Sequence, residues 1–426
     1  MVFAGMLLNT NKNIIIQGDN NNFIFEDQFK YISINTLNDI SNNDIFNYNG
    51  NEVIYDDVEY SPLLDIYVCV SRHNILYSEN GIDWFQGRHD NFFGTKHGYI
   101  DYNTLKWIKE LDIFIVTRVH NFNDDFFGIF ISNDGKYWIK ANVTGTLYQF
   151  HPKKISYSSH EKIIVLTGTG NSNQGLWKSN IITDKNNIIV TSTTTINFER
   201  IIFGNPPEFL REWFLASSDL HIDYHESIKA FIIVANSPGN TGGRRGHQFY
   251  YRPDNAINEH WQNLPINLYG QDITHTNINI GQYFYGIAYS PSLKRTVTVG
   301  TRIFYTDYRD STMNVVTSET FQNLVFIETR KINNTDVNNF LLNDVIWVDN
   351  SGGTSYFLAS GESPYQIIYS ADGIEWFSNV NITSSEQNNA NNIIKLTHGN
   401  NGILGIGLYN NTRKLIQTDS TYISSV

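Results

Sequence analysis

Short apolar runs separated by polar turns follow one another along most of the chain. Some runs alternate apolar and polar residues, and others, such as Ile66-Tyr67-Val68-Cys69-Val70, are apolar throughout. The first pattern is typical of half-buried β-strands and the second of fully buried ones. Because helical periodicity with capping residues is nearly absent, the sequence predicts an all-β protein.

One pair of runs recurs: in most copies an aromatic residue ends the first run, and a short polar turn leads to a second apolar run. The copies are spaced by roughly 50 to 65 residues, in the range of propeller blades. They are Val58-Glu59-Tyr60 with Ile66-Tyr67-Val68, Leu105-Lys106-Trp107 with Ile113-Phe114-Ile115, Ile155-Ser156-Tyr157 with Ile163-Ile164-Val165, Ile222-Asp223-Tyr224 with Phe231-Ile232-Ile233, Ile287-Ala288-Tyr289 with Thr296-Val297-Thr298, Val345-Ile346-Trp347 with Tyr356-Phe357-Leu358, and a weaker copy, Ile394-Lys395-Leu396 with Ile403-Leu404-Gly405.

A second motif follows the pair in three of the copies: an Asn-Gly or Asp-Gly step with a tryptophan three residues after the glycine. Such steps favour tight turns, because glycine accepts a positive φ and the Asx side chain bonds its own turn. The tryptophan is expected on the returning strand, where it packs into a neighbouring blade. The residues of this structural box are Asn80, Gly81 and Trp84, then Asp134, Gly135 and Trp138, and finally Asp372, Gly373 and Trp376.

Together the two motifs predict a β-propeller with seven blades of four antiparallel strands, spanning residues 51–426. Blades closed into a ring bury both faces of each sheet and remove exposed edges. A straight solenoid is the competing architecture, but it needs capping repeats, which the sequence lacks. Residues 1–50 are expected to complete the last blade and close the ring. An eighth, degenerate blade is the alternative for this segment.

Composition narrows the possible partners. The aromatic content of 14% favours strands, and the formal net charge of −12 argues against binding to nucleic acid phosphates or anionic lipid. Cys69 is the single cysteine, so we expect a small buried hydrophobe and no internal disulfide. We find no signal peptide, no membrane-spanning run and no cofactor or metal motif, and we therefore expect a soluble protein without cofactors.

The boxes resemble the Asp-box, or bacterial neuraminidase repeat, of sialidase-like propellers. They lack the residue that separates Asp and Gly in that family, and this shorter form is similar to repeats in tail and fibre proteins of phages and other viruses. The resemblance implies either a virion protein that contacts other virion proteins or a host glycan, or a glycosidase with an arginine triad, a Tyr–Glu nucleophile pair and an Asp acid. The Arg-Ile-Pro element of the enzymes is missing, and the nearest string is Tyr250-Tyr251-Arg252-Pro253.

Two sets of residues are candidates for ligand binding. Arg72, Arg118 and Arg302 each follow a blade-opening aromatic at a similar distance, so they are expected in equivalent loops on one rim, where they could hold a carboxylate. A basic, Gly-rich insertion in the fourth unit is the other candidate, and it is a long loop on a rigid scaffold. Its candidate residues are Arg244, Arg245, Tyr250, Tyr251 and Arg252.

Other polar residues are poor candidates for a metal site or a catalytic triad. His221 and His225 flank a strand start and should diverge, and nothing orients Ser159-His160-Glu161 as a triad. The leading hypothesis is therefore a non-enzymatic binding or assembly module, located in a virion as a tail, fibre or capsid-associated protein. A sialidase-like glycosidase or a glycan-binding lectin is the alternative.

Overall fold

The computed structural model describes the strands of the repeated units and many of the turns between them. The described residues are 29–31, 55–71, 74–89, 100–120, 128–144, 151–169, 175–179, 195–200, 219–237, 245–251, 261–263, 266–268, 271–273, 284–308, 324–329, 331–333, 335–336, 340–349, 355–362, 367–378, 390–400, 402–409 and 412–418.

Nearly all of the regular structure in these residues is β-strand. The first sheets contain β1 (Phe29–Tyr31), β2 (Tyr55–Ser61), β3 (Ile66–Ser71), β4 (Ile75–Ser78), β5 (Phe85–Gln86), β6 (Arg88–His89), β7 (Ile100–Ile108), β8 (Ile113–His120), β9 (Gly128–Ser132), β10 (Tyr137–Lys140), β11 (Asn142–Thr144), β12 (His151–Ser158), β13 (Ile163–Thr169), β14 (Gly175–Ser179) and β15 (Thr195–Arg200). The middle of the chain forms β16 (Asp219–His225), a short 3-10 helix (Glu226–Ile228), β17 (Ala230–Ser237), β18 (Arg245–Tyr251), β19 (Trp261–Asn263), β20 (Ile266–Leu268), β21 (Gln271–Ile273), β22 (Phe284–Ser290), β23 (Arg295–Gly300), β24 (Ile303–Tyr308) and β25 (Leu324–Thr329). The remaining strands are β26 (Lys331–Ile332), β27 (Thr335–Asp336), β28 (Leu342–Val348), β29 (Tyr356–Gly361), β30 (Ile367–Ser370), β31 (Ala390–Gly399), β32 (Gly402–Tyr409) and β33 (Thr412–Thr418).

These strands form sheets that follow one another around an axis. In chain order the sheets of the ring are β2-β3-β4-β5, β7-β8-β9-β10-β6, β12-β13-β14-β15-β11, β16-β17-β18-β19, β22-β23-β24-β25-β20-β21, β28-β29-β30 and β31-β32-β33-β1. β26 and β27 form a separate two-stranded sheet. The first strand of each sheet contacts the first strand of the next, and β31 contacts β2. The ring of inner strands is therefore closed, and the all-β propeller prediction is confirmed.

The predicted blade count needs correction. Among the described residues six sheets have at least four strands, and the β28-β29-β30 sheet has three. Seven equal four-stranded blades, or eight, are therefore not what the structure contains. In the three-stranded sheet the chain after the box bonds elsewhere: Ser378 N donates to Asn333 Oδ1 at 2.9 Å, so only Phe377 bridges back to Tyr369.

Some sheets gain an extra outer strand from the preceding sheet. β6 pairs in parallel with β10, β11 with β15, and β20 with β25. Each added strand follows the outer strand of one sheet and crosses to the edge of the next. These straps cover edges that a four-stranded blade would leave open, a feature that the repeat pattern did not predict.

The apolar core lies between neighbouring sheets rather than in one central mass. Trp138 joins side chains of the first and second sheets, and Trp376 joins those of the fifth sheet and the three-stranded one. Leu404 and Ile406 of the last sheet pack with Tyr55 and Trp84 of the first, closing the ring. Cys69 is buried in that same cluster, as expected for a small hydrophobe.

The N-terminal segment contributes one described strand. β1 pairs antiparallel with β33, with Phe29 opposite Thr418 and Tyr31 opposite Ile416. It is therefore the outermost strand of the last sheet. The rest of residues 1–50 lies outside the described residues, so ring closure by the whole segment stays a prediction. None of the described residues belongs to a helix long and apolar enough to span a membrane.

Candidate functional site

The three box turns have the same hydrogen-bond geometry. In the second sheet Asp134 Oδ1 accepts from the backbone N–H groups of Lys136 and Tyr137 at 2.8 and 2.7 Å, and Ser132 Oγ accepts from Gly135 N at 2.9 Å. Trp138 Nε1 donates to Gly135 O at 3.1 Å. The turns at Asn80 and Asp372 repeat these bonds, with glycine φ values between 70° and 78° in the three boxes.

Each box tryptophan is buried between two sheets, as the pattern predicts. Trp84, Trp138 and Trp376 have 4%, 0% and 1% of their surface exposed. The strap from the preceding sheet covers the ring in the second sheet: a Cβ on Gly87 would lie 3.0 Å from Trp138 Cδ1 and Nε1. The boxes thus lock neighbouring sheets together, and their own polar atoms are bonded within the turn.

The two rims of the ring differ in what they present. In a four-stranded blade the first and third turns lie at one rim, which we call the box rim, and the second turn lies at the opposite rim. Arg118 pairs with Gly128 across β8 and β9, and Arg302 lies between β23 and β24, so both are near the opposite rim. Arg72 lies outside the described residues.

Of the two described arginines, one is paired with a carboxylate and the other is buried. Arg302 Nη1 lies 2.5 Å from Glu328 Oε1 in an ion pair within the fifth sheet, and Arg118 is 7% exposed. Burial raises the pKa of Glu328, and the Arg302 charge opposes that rise. Convergence of Arg72, Arg118 and Arg302 on one carboxylate remains a prediction.

The candidate insertion of the fourth sheet is described only as backbone. Arg245, Tyr250 and Tyr251 lie on β18, whereas Arg244 and Arg252 lie outside the described residues. The β17–β18 ladder runs from Phe231 opposite Tyr251 to Ser237 opposite Arg245. Arg245 is therefore at the opposite rim and Tyr250 and Tyr251 are toward the box rim, on a regular strand where the sequence predicted only a loop.

The structure brings together a group of residues that sequence reasoning missed. A cavity of about 70 Å³ lies on the axis of the ring, lined by inner-strand residues. That volume holds several water molecules, each needing roughly 10–15 Å³ on this measure, but is well below the roughly 300–1,000 Å³ of pockets for drug-sized ligands. The titratable side chains that line it, which we call the axial cluster, are Asp57, Glu59, Lys106, Lys154, His221, Asp223, Asp344 and Lys395.

β-Bulges position half of this cluster. The register of the inner strand shifts just before Asp57, Lys154, Asp344 and Lys395, and likewise before Thr104 and Gly286 in the other sheets. An extra residue in a strand bends it and re-aims the side chain that follows. The bulges thus turn one residue of each of these strands toward the axis.

Carboxylates of the axial cluster bridge neighbouring sheets. Asp57 Oδ2 accepts from Leu105 N at 3.1 Å, Asp223 Oδ2 from Tyr289 N at 2.8 Å, and Asp344 Oδ2 from Leu396 N at 3.1 Å. In each case the N–H belongs to the inner strand of the next sheet. Charge-assisted bonds of this kind are stronger than neutral ones, so these three aspartates stabilise the ring from inside.

The lysines of the cluster differ in their partners. Lys395 Nζ lies 3.1 Å from Asp344 Oδ1 and 4.0 Å from Asp57 Oδ1, and Lys106 Nζ lies 3.6 Å from Glu59 Oε1. Lys154 instead lines the cavity beside Lys395 and interacts with its charge. Two amines in one small cavity cannot both stay fully protonated at low cost, because like charges repel strongly when partly shielded from water.

Burial and these neighbours shift several pKa values. Burial, aided by the Lys395 charge, lowers the pKa of Lys154 to about 8. Burial also disfavours the charge of Lys395, but Asp344 and Asp57 outweigh it and raise that pKa. Burial raises the pKa of Glu59 to about 7 although Lys106 opposes the rise, and it lowers that of His221, aided by Lys154.

The remaining sequence candidates lie apart. His225 is buried with its ring centroid 4.3 Å from that of Tyr289, while His221 lines the axis, so the two histidines diverge. Among the described residues no group of three or more His, Cys, Asp or Glu side chains could hold a metal. His160 pairs with Glu161 at 3.4 Å in an exposed turn.

A sequence signal for the axial cluster did exist. Asp57, Lys154, His221 and Asp344 each stand three residues before the end of a blade-opening run. Thr104 and Gly286 fill this position in two other copies, whereas Lys395 stands one residue before the end of its run. Polar residues at a fixed position in otherwise apolar strands indicate a shared polar environment.

Comparisons with known proteins agree with the fold. The chain is similar to the structure of YCF48 bound to D1 peptide, with a TM-score of 0.50 and 11% identity over 88% of this chain and 94% of that one. Lower TM-scores of 0.47 and 0.42 relate it to the Mitotic Checkpoint Complex (10% identity, 86% and 87% of the two chains) and to a luciferin-regenerating enzyme (7%, 88% and 93%). No protein-family model and no curated protein matches. At such identities the likeness shows the fold alone.

Proposed function

We propose that the protein is a non-enzymatic β-propeller that binds a partner protein or a glycan through the rim opposite the box turns. The observation that carries this proposal is the β17–β18 hairpin. Its ladder continues to Ser237 and Arg245, one pair beyond Asp219 and Asn236, where the inner strand of that sheet begins. The hairpin therefore reaches that rim as a regular pair of strands.

The composition of this hairpin suits an interface. Arg244, Arg245, Tyr250, Tyr251 and Arg252 lie within nine residues of sequence in a chain whose formal net charge is −12. Arg245 lies at the opposite-rim end of β18, whereas Tyr250 and Tyr251 lie toward its box-rim end. Arginine and tyrosine are enriched at the energetic centres of protein interfaces. YCF48, which is similar in fold, has been solved with a bound peptide, and this supports polypeptide binding as the class of function.

A virion is the setting that we propose, with the protein as a tail, fibre or capsid-associated component. This rests on the resemblance of the short boxes to repeats of viral tail and fibre proteins. Its partners would then be other virion proteins or a host glycan. Because partner choice in a propeller comes from loops on its rims rather than from the blade core, the hairpin is the surface to test.

Charge reversal on the hairpin tests the proposal. The double variant Arg244→Glu, Arg245→Glu should fold normally and lose incorporation into the particles or complexes isolated from the native source, measured by co-sedimentation of the tagged chain. Lys229→Glu is the matched control, because Lys229 lies in the same sheet at the box rim and carries the same charge. Normal incorporation of the double variant, or equal loss in the control, would overturn the proposal.

A sialidase-like glycosidase is the competing function. The ion pair of Arg302 with Glu328 and the burial of Arg118 both weigh against an open arginine triad. A fluorogenic sialoside assay separates the two functions, and we expect no turnover. Clear turnover that Arg118→Ala abolishes would establish the enzyme instead.

A further inference from the structure

Lys154 differs from the other lysines of the axial cluster. Lys395 and Lys106 each have a carboxylate oxygen within ion-pair distance, at 3.1 and 3.6 Å. Among the described residues, no ion pair of this kind forms at Lys154 Nζ, although Lys154 lines the same small cavity as Lys395, Asp57 and Asp344. Because Asp344 and Asp57 hold Lys395 in its charged form, Lys154 is the amine of this pair that gives up its proton more readily.

The surroundings of Lys154 combine an amine with an adjacent acid. The Lys395 ammonium lines the cavity together with the Lys154 amine and donates a hydrogen bond to Asp344 Oδ1 at 3.1 Å, which orients it. Asp57 and His221 also line the cavity, with Glu59, Lys106 and Asp223 completing it. A desolvated lysine beside a second cationic group is a known arrangement for a nucleophilic amine.

We propose that Lys154 is a nucleophilic amine that captures a small aldehyde as an imine inside the axial cavity. The nitrogen lone pair attacks the carbonyl carbon, and a carbinolamine forms. Both hydrogens of the amine leave with the carbonyl oxygen as water, so the reaction needs no oxidant, reductant or metal. Lys395 donates a proton to the departing hydroxyl and recovers one from the nitrogen.

The size of the cavity limits the aldehyde. At about 70 Å³ it admits a molecule of a few heavy atoms, whereas sugars and aromatic aldehydes need pockets of several hundred Å³. Inner strands of different sheets wall the cavity, and the interstrand bonds of Asp57, Asp223 and Asp344 fix that wall. The proposed ligand class is therefore the short-chain aldehydes.

Reductive labelling of the folded, full-length protein tests the proposal. Acetaldehyde with cyanoborohydride at pH 7 should ethylate Lys154 faster than Lys153 by at least about 10-fold, because more of the Lys154 amine is unprotonated. Lys153 is the internal reference, since it is the exposed bulge residue next in sequence. Peptides cut by a protease that ignores lysine are quantified by mass spectrometry. Labelling of Lys154 no faster than Lys153 would overturn the proposal.

Two variants separate the proposed chemistry from simple exposure. Lys395→Met removes the adjacent ammonium and leaves Asp344 and Asp57 to favour the protonated form of Lys154, so the preference should fall at least tenfold. Lys106→Met is the control, because Lys106 lines the same cavity but pairs with Glu59, and it should keep the preference. An unchanged preference in Lys395→Met would contradict the mechanism.

Measurements on the wild-type protein remain decisive if Lys395→Met fails to fold. The labelling rate of Lys154 should rise with pH and level off above about pH 8, following the pKa of its amine. Benzaldehyde, which is too large for the cavity, should show no preference for Lys154 over Lys153. The proposed site would be refuted if the rate kept rising well beyond pH 8. It would also be refuted if benzaldehyde preferred Lys154 over Lys153 as strongly as acetaldehyde does.

Discussion

The box turns and the axial cluster both recur from sheet to sheet, but the boxes repeat the same residue types and the axial positions do not. Each box places the same residue types in the same bonds, and its polar atoms are satisfied inside the turn. The axial positions hold unlike residues, and their bonds run from one sheet to the next. Boxes lie far apart at the periphery, whereas axial side chains share one cavity. Identical charges there would repel, so the axis needs complementary residues rather than identical ones.

At the axial position of the fifth sheet, the neighbouring strand leaves no room for a side chain. Gly286 occupies it, and a Cβ there would lie 2.8 Å from Val345 N and 2.9 Å from Asp344 Cα. Glycine therefore lets the inner strands of the fifth sheet and the three-stranded sheet approach closely. A side chain at position 286 would displace Asp344, which in the structure bonds both Lys395 and Leu396.

The largest effect is expected from the box tryptophans. Trp138→Ala should lower the free energy of unfolding by about 3–5 kcal/mol, because it empties a packed site between two sheets. Urea denaturation measures the loss. Tyr137→Ala is the control, since Tyr137 is the adjacent residue and is 38% exposed, and it should change stability by less than about 0.5 kcal/mol. Equal losses in the two variants would show that the box does not act through interblade burial.

Removal of β1 tests the periphery at the point where the ring closes. Deleting residues 1–54 should expose the edge of β33, lower the melting temperature and cause aggregation, because an unpaired edge strand invites pairing with another chain. Deleting residues 1–27, which keeps β1, is the control. A soluble chain with an unchanged melting temperature after the longer deletion would rule out closure by this segment.

The sequence predicted the periphery better than the axis for a physical reason. A box is defined by local bonds among neighbours such as Ser132, Asp134 and Gly135, so its motif is visible in the chain itself. The partners of Asp57 and Lys395 lie in other sheets, and only ring closure brings them together. The straps and the three-stranded sheet escaped prediction likewise, because the parallel pairing of β6 with β10 depends on the neighbouring sheet.

A natural variation among the boxes supplies the next test. Asn80 fills in one box the position that Asp134 fills in another, and both side-chain oxygens accept the same two backbone N–H groups. Asp134→Asn should therefore be nearly neutral, whereas Asp134→Ala should cost about 1–2 kcal/mol because it leaves these donors without their acceptor. Thermal and urea unfolding measure both. If Asn proved as costly as Ala, the charge rather than the acceptor geometry would be what stabilises the turn.

The smallest effect is expected at the axis and depends on pH. Burial raises the pKa of Glu59 to about 7, so the folded state binds a proton that the unfolded chain has already released. Between the ordinary carboxyl pKa and about pH 7, the free energy of unfolding should therefore fall as pH rises. Because Lys106 pairs with Glu59 in a partly exposed position, the slope should stay well below the about 1.4 kcal/mol per pH unit of one fully differential proton. Glu59→Gln should flatten this part of the stability profile, measured by urea unfolding from pH 5 to 8, while other groups contribute equally to both proteins. Parallel profiles would show that Glu59 titrates alike in the folded and unfolded states. Water would then reach the axis of the folded protein, whereas it does not reach the buried box tryptophans.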